Sequence, residues 1–194
     1  MASLKGLMPR LAPLLATTPM SLYERQRALV GADLLTQTVG KGPGSGVHLT
    51  ERAVAVLLTS VMATDSLADA PELARRHETF GPTTGKCGLT GASNLVDAIS
   101  ALLENAELRN RLIDLEISRM SEVAFLRYKP HGKTEFRGPS AKQDRMNVSA
   151  TLSGSQLKRI RFLMQLTKVA DLPQKFRAAR AREARTATRD RRGS

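Results

Sequence analysis

VGKGPGSGVHLTERAV, Val39 to Val54, sets four glycines at alternate positions, Gly40, Gly42, Gly44 and Gly46, ahead of an apolar segment. Three readings compete for it: a phosphate cradle, the tip of a β-hairpin wing, and a solvated loop. A cradle needs its glycines after a buried strand and directly before a helix whose N-terminus faces the phosphate. Here the preceding segment has helical spacing, and Val47, His48 and Leu49 stand between the glycines and the next helix. The cradle fails on position. A hairpin tip needs residues that tolerate positive φ, and glycine supplies them. Thr36–Val39 and Val47–Leu49 then flank the tip as short strands. The plainer alternative is a solvated loop beside a structural helix. It draws support from residues 1–80, whose eight Lys/Arg face seven Asp/Glu and make no strongly basic surface.

Upstream, Leu4, Leu7, Met8, Leu11, Leu14 and Leu15 recur with helical spacing, opposed by Pro9 and Pro13, so a kink or a late start is expected. Thr17-Thr18-Pro19 reads as a turn. Ser21-Leu22-Tyr23-Glu24 has the S-x-x-E pattern of a capping box and opens a helix over 21–35, with Arg25 and Arg27 expected on its exposed side. Thr50 caps the following helix, which turns Val54, Leu57, Leu58, Val61 and Met62 inward. Another helix is expected from Ser66 to about His77.

Residues 79–91 carry four glycines and a proline and are the best candidate for a boundary. A helix from Ser93 follows, interrupted near Asn105. Ile113, Leu115 and Ile117 then alternate with polar residues. With Val123, Phe125 and Tyr128, a His131-Gly132 turn, Thr134 and Phe136, they predict a β-meander. Met146, Val148, Ala150 and Leu152 predict one more strand, and Ser153–Ala170 returns to helix. The fold class is α+β, mainly helical. The organisation expected is an N-terminal winged helix-turn-helix (1–80), a Gly-rich linker (81–92), an α+β oligomerisation or partner-binding domain (93–172), and an Arg-rich tail (173–194).

The formal charge is +12, and residues 151–194 hold twelve Lys/Arg against three Asp/Glu. Lys175, Arg177, Arg180, Arg182, Arg185 and Arg189, spaced mainly by alanines, suit phosphate tracking rather than base reading. A solubilising tail with too little apolar surface to order itself is the bland alternative. Four per cent aromatic residues and no Trp argue against stacking platforms for single strands. One cysteine, Cys87, excludes an internal disulfide and fits a reducing cytoplasm. No stretch approaches a membrane span, and no membrane partner is expected.

No catalytic constellation emerges, so an enzyme is not expected. GPTTGKC (81–87) imitates a P-loop but has three residues between its glycines and Cys87 where the magnesium-binding hydroxyl belongs. His48, His77 and His131 match no metal-ligand spacing and read as exposed turn or helix-end histidines. Ser45 lacks the glycine pattern of a nucleophile elbow. No metal or cofactor is implied.

SLYERQRALVGADLL, TVGKGPGSGVHLT and ERAVAVLLTSVMA, taken in order, resemble the winged helix of the MerR-type regulators. Ala32-Asp33-Leu34-Leu35 stands where that family ends its recognition helix, and one lysine stands where its wing usually has more basic residues. The GKGPGSGV loop also resembles that of short phage and alphaproteobacterial proteins of unassigned function. The resemblance spans about residues 4–63. It implies a DNA-binding transcriptional regulator whose 21–35 helix enters the major groove. Ser21, Tyr23, Arg25 and Arg27 on that helix, and Lys41, Gly44 and His48 in the wing, are then the nucleic-acid contacts. Partners expected are double-stranded DNA, a second copy of the chain, and RNA polymerase or another protein. Two other roles stay open: an adaptor on the transcription machinery or RNA, and a nucleoprotein or virion assembly component.

Overall fold

The computed structural model describes residues 2–38, 46–141 and 148–171. These form an α+β fold, about half helical, with seven α-helices and two antiparallel sheets. In α1 (Leu4–Leu11) the Ser3 hydroxyl accepts the Gly6 N–H at 3.2 Å, and Leu4, Leu7, Met8 and Leu11 are buried. The prolines do not delay it. Pro9 lies on the exposed side, where a missing i→i−4 bond costs least, and Pro13 opens a 3-10 turn (Ala12–Leu15).

The next helix, α2 (Pro19–Gly31), starts ahead of the expected Ser21 cap. Thr18 Oγ1 accepts the Ser21 N–H at 3.1 Å, and Pro19 takes the first helical position, where its absent N–H is not missed. Glu24 therefore does not reach back to a cap and pairs with Arg27 at 3.2 Å. A two-stranded ribbon follows, β1 (Gln37–Thr38) with β2 (Gly46–Val47).

The centre of the molecule is α3 (Glu51–Ala63), capped by Thr50, with every residue from 53 to 60 buried. It packs on α5 (Leu95–Glu104), on α4 (Ala70–Glu78), on α2 and on the larger sheet. That sheet has the order β3-β6-β5-β4-β7, formed by β3 (Gly81–Pro82), β4 (Leu112–Ser118), β5 (Val123–Tyr128), β6 (Gly132–Arg137) and β7 (Ser149–Ser153). Between α5 and β4 lies α6 (Ala106–Arg111), capped by Asn105. Leu115, Ile117, Ala124, Leu126, Phe136 and Leu152 alternate onto the buried face. The other face is charged: Arg127 bonds Asp114 (2.7 Å) and Glu116 (3.0 Å), and the Lys133 ammonium lies 3.9 Å from the Phe125 ring centre. The chain then turns sharply from β7 into α7 (154–171), where a Cβ on Gly154 would collide with the Leu112 carbonyl.

One hydrophobic cluster runs from Leu4 in α1 to Met164 in α7. It crosses the 81–92 segment expected to be a linker. That segment contributes β3 and the buried Cys87 and Leu89, and the Gly88 N–H bonds Thr134 Oγ1 at 3.1 Å.

Arg25 corrects the expectation that it is exposed: it is 4% exposed. The end of α3 has no glycine and no basic residue of its own. Arg25 supplies both needs from α2, donating to the carbonyls of Ser60 (2.9 Å), Thr64 (2.8 Å) and Asp65 (3.0 Å). Arg119, after β4, donates through Nε to the Met62 carbonyl at 3.1 Å and through its fork to the Asp65 carboxylate. Two cations thus sit at the negative end of the helix dipole and bond the carbonyls it leaves open. Burial pulls the Arg25 pKa below its usual value, and Asp65 opposes that pull.

His77 is a second correction, being 2% exposed rather than on the surface. Its Nδ1 lies 2.6 Å from the Leu73 carbonyl, its ring stacks at 4.2 Å on Phe80, and its Nε2 is buried without a hydrogen-bond partner. Burial holds its pKa below the ordinary histidine value.

Arg25→Ala leaves three carbonyls without their donor and should cost about 3 kcal/mol in urea unfolding. Arg27→Ala, which removes only an exposed ion pair, should stay within about 0.5 kcal/mol. His77 is neutral in both states at high pH. As pH falls below about 6.5 the unfolded chain takes a proton that the folded chain resists. Stability should therefore decline on acidification from that point, and His77→Gln should lose this part of the decline.

Candidate nucleic-acid interface

The residues expected to act together on α2 are divided between two clefts. A two-residue offset on a helix is a rotation of roughly 200°. Ser21 and Arg25, one turn apart, line a cleft with the 3-10 turn, the end of α3, Arg119 and β7. Tyr23 and Arg27, also one turn apart, line a cleft of about 500 Å³ on the other flank. Gln26, Val30 and Gly31 continue its α2 wall. Ser3 and Lys5, from the start of α1, and Gln37, Gly46 and Val47, from the ribbon, complete it.

The ribbon is held in place by the chain start. Gln37 pairs with Val47 and Thr38 with Gly46, and Ser3 forms a further antiparallel bridge with His48. The Leu49 N–H donates to the Ala2 carbonyl at 2.9 Å. Gly46 has φ +122, a conformation that L side chains rarely adopt. Val47 is buried and anchors the ribbon to the core.

The charge in this cleft comes from two elements. The Lys5 ammonium lies 4.7 Å from the Tyr23 ring centre, on an exposed position of α1. The Arg27 side chain is 64% exposed, and its pair with the half-exposed Glu24 is the kind that solvent largely screens. Both cations remain open to solvent. Arg25 is not, because its guanidinium is spent on the α3 carbonyls, so its expected role in base or phosphate contact is withdrawn. His48 bonds Thr38 Oγ1 at 2.7 Å and lines a separate groove with Leu34, Thr36 and Arg52, away from Arg27. Arg52 is itself committed to Asp97 and Glu78.

Of the expected contacts, the structure therefore brings Tyr23 and Arg27 together and sets Ser21, Arg25 and His48 apart from them. Lys41, Gly44, Lys175, Arg177, Arg180, Arg182, Arg185 and Arg189 lie outside the described residues. Sequence reasoning missed Lys5 and Gln26. Lys5 stands on the polar side of α1 opposite Leu4, Leu7, Met8 and Leu11, but nothing local says that this side borders α2. Gln26 reads as an ordinary polar helix residue, yet it is 7% exposed and its Oε1 is buried without a partner.

Among the described residues no group of His, Cys, Asp or Glu is arranged to hold a metal, and no helix is long and apolar enough to cross a membrane. No family model, curated protein or solved structure matches the chain.

Ser3 both caps α1 and pairs with the ribbon. Ser3→Ala removes the cap oxygen and should lower stability by about 1 kcal/mol, measured by urea unfolding.

Proposed function

We propose that the chain is a DNA-binding transcriptional regulator, of phage or mobile-element type, whose N-terminal part acts as a winged helix-turn-helix. The observation that carries this reading is the cleft shared by α2 and the ribbon, with the exposed Lys5 and Arg27 in its lining. Helix α1, a 3-10 turn, helix α2, an antiparallel ribbon and helix α3 follow one another in an order compatible with this motif. The glycines at 40, 42, 44 and 46 suit a ribbon tip, and the resemblance to MerR-type regulators points the same way.

In this reading the Tyr23–Arg27 flank of α2 meets the duplex, rather than the whole N-terminal half of the helix. With few cations on that flank, the Arg-rich segment 173–194 supplies sequence-independent affinity through phosphate neutralisation. A second copy would let the protein match a two-fold operator. The exposed Phe162, Leu166 and Val169, spaced along one side of α7, are compatible with such a partner.

Selection from a pool of random duplexes tests the proposal. The full-length protein should enrich one sequence motif, and affinity should fall steeply as salt rises. Neutralising the six tail cations from Lys175 to Arg189 as glutamines should weaken binding to all duplexes while the enriched motif stays the same. Binding without any enriched motif would favour a packaging or adaptor role instead.

A further inference from the structure

Most large exposed apolar side chains among the described residues stand singly on separate elements, as Met20, Leu67 and Met120 do. Single ones need no explanation. Phe162, Leu166 and Val169 are different, because they recur at i, i+4 and i+7 along α7 and form one exposed stripe. The opposite side of the helix, with Leu157, Ile160 and Met164, is buried in the core. Helix α7 is therefore apolar on two sides, and only the inner one is covered. An outer stripe at this spacing is the kind of surface that a partner helix covers.

The charge around the stripe says what that partner carries. Arg161 and Lys168, on one flank, are both turned to Glu51. Lys158 and Arg159, one turn ahead of Phe162, are exposed and make no ion pair with a described residue. A phosphate backbone would answer these two cations and leave the apolar stripe in water. An anionic lipid surface would take the stripe but draws on cations along its flanks, and the flanking pair is spent on Glu51. A second copy presents the same face, with no carboxylate to set against Lys158 and Arg159. We propose that this face of α7 receives an amphipathic, acidic helix of another protein. Its apolar residues lie over Phe162, Leu166 and Val169, and its carboxylates meet Lys158 and Arg159. None of these residues lines the α2–ribbon cleft, so the docking face stands apart from the DNA-binding reading.

Three labelled synthetic peptides test it on the full-length protein. The first is helix-forming, with leucines at i, i+4 and i+7 and two glutamates one turn ahead of them. The second has lysines in place of those glutamates. The third has the composition of the first in scrambled order, and so reports what the Arg-rich segment attracts by charge alone. Wild type should bind the first about tenfold more tightly than either of the others. Phe162→Ser/Leu166→Ser should bind the first peptide no better than the scrambled one. Lys158→Glu/Arg159→Glu should shift the preference toward the lysine peptide by about tenfold. Both variants change exposed side chains and should melt with the wild type.

Equal binding of the first and scrambled peptides by wild type, or a preference that neither variant moves, would overturn the proposal. Two further measurements then say what covers the stripe. A wild-type mass that rises with concentration in sedimentation, and stays monomeric in Phe162→Ser/Leu166→Ser, would assign it to a second copy. Co-sedimentation with phosphatidylglycerol vesicles, lost in the same variant, would assign it to a lipid surface. Each of these outcomes leaves the DNA-binding reading to the duplex selection.

Discussion

Two guanidiniums from distant parts of the chain close the end of the central helix. Helix α3 is buried along most of its length and stops without a glycine, so its last carbonyls lack a local cap. Arg25 and Arg119 reach them from α2 and from the end of β4. The same contacts tie α2, α3 and the larger sheet into one cluster. A charged group is costly to bury, and here the cost is offset because each guanidinium hydrogen-bonds oxygens that would otherwise stand unpaired. The opposite end of α3 is held by the mirror-image device: Glu51, in its first turn, accepts from Arg161 and from Lys168 of α7, the latter at 3.0 Å. Those donors and a backbone bond hold the Glu51 pKa below its usual value despite its burial.

This clamp bears on function through helix geometry. Pinning Arg25 inward fixes the rotation of α2, and that rotation decides which residues look outward. Tyr23 and Arg27 are turned to the ribbon because Arg25 is turned to α3. Lys5 is brought against Tyr23 by α1, which starts beside the ribbon where Ser3 pairs with His48. The candidate surface therefore follows from two anchors, Arg25 on the far side of α2 and Ser3 in the cleft wall.

Much of the architecture was legible from the residues. The alternation of Ile113, Leu115 and Ile117, the His131-Gly132 turn and the apolar spacing of Leu157, Ile160 and Met164 all mark elements that exist, because periodicity records which side meets the core. Capping boundaries were less legible: Ser21 matched a cap pattern, but Thr18 followed by Pro19 won the position. The candidate site was legible only in part. An arginine on a helix reads as exposed by default, and nothing near Arg25 in the chain reveals that α3 ends without a cap beside it. His77 misled for the same reason. Lys5 gains its meaning from a contact distant in the chain, and Gln26 from burial by distant segments, neither of which one sequence displays.

We propose that the α2–ribbon cleft, rather than another surface of the protein, receives nucleic acid. Backbone amide shifts of the isotope-labelled full-length protein, followed by NMR during titration with duplex DNA, test it most directly. Lys5, Tyr23, Gln26, Arg27, Gln37 and Gly46 should move together. Shifts confined to the charged sheet face around Phe125, Arg127 and Lys133, with α2 and the ribbon unmoved, would contradict it.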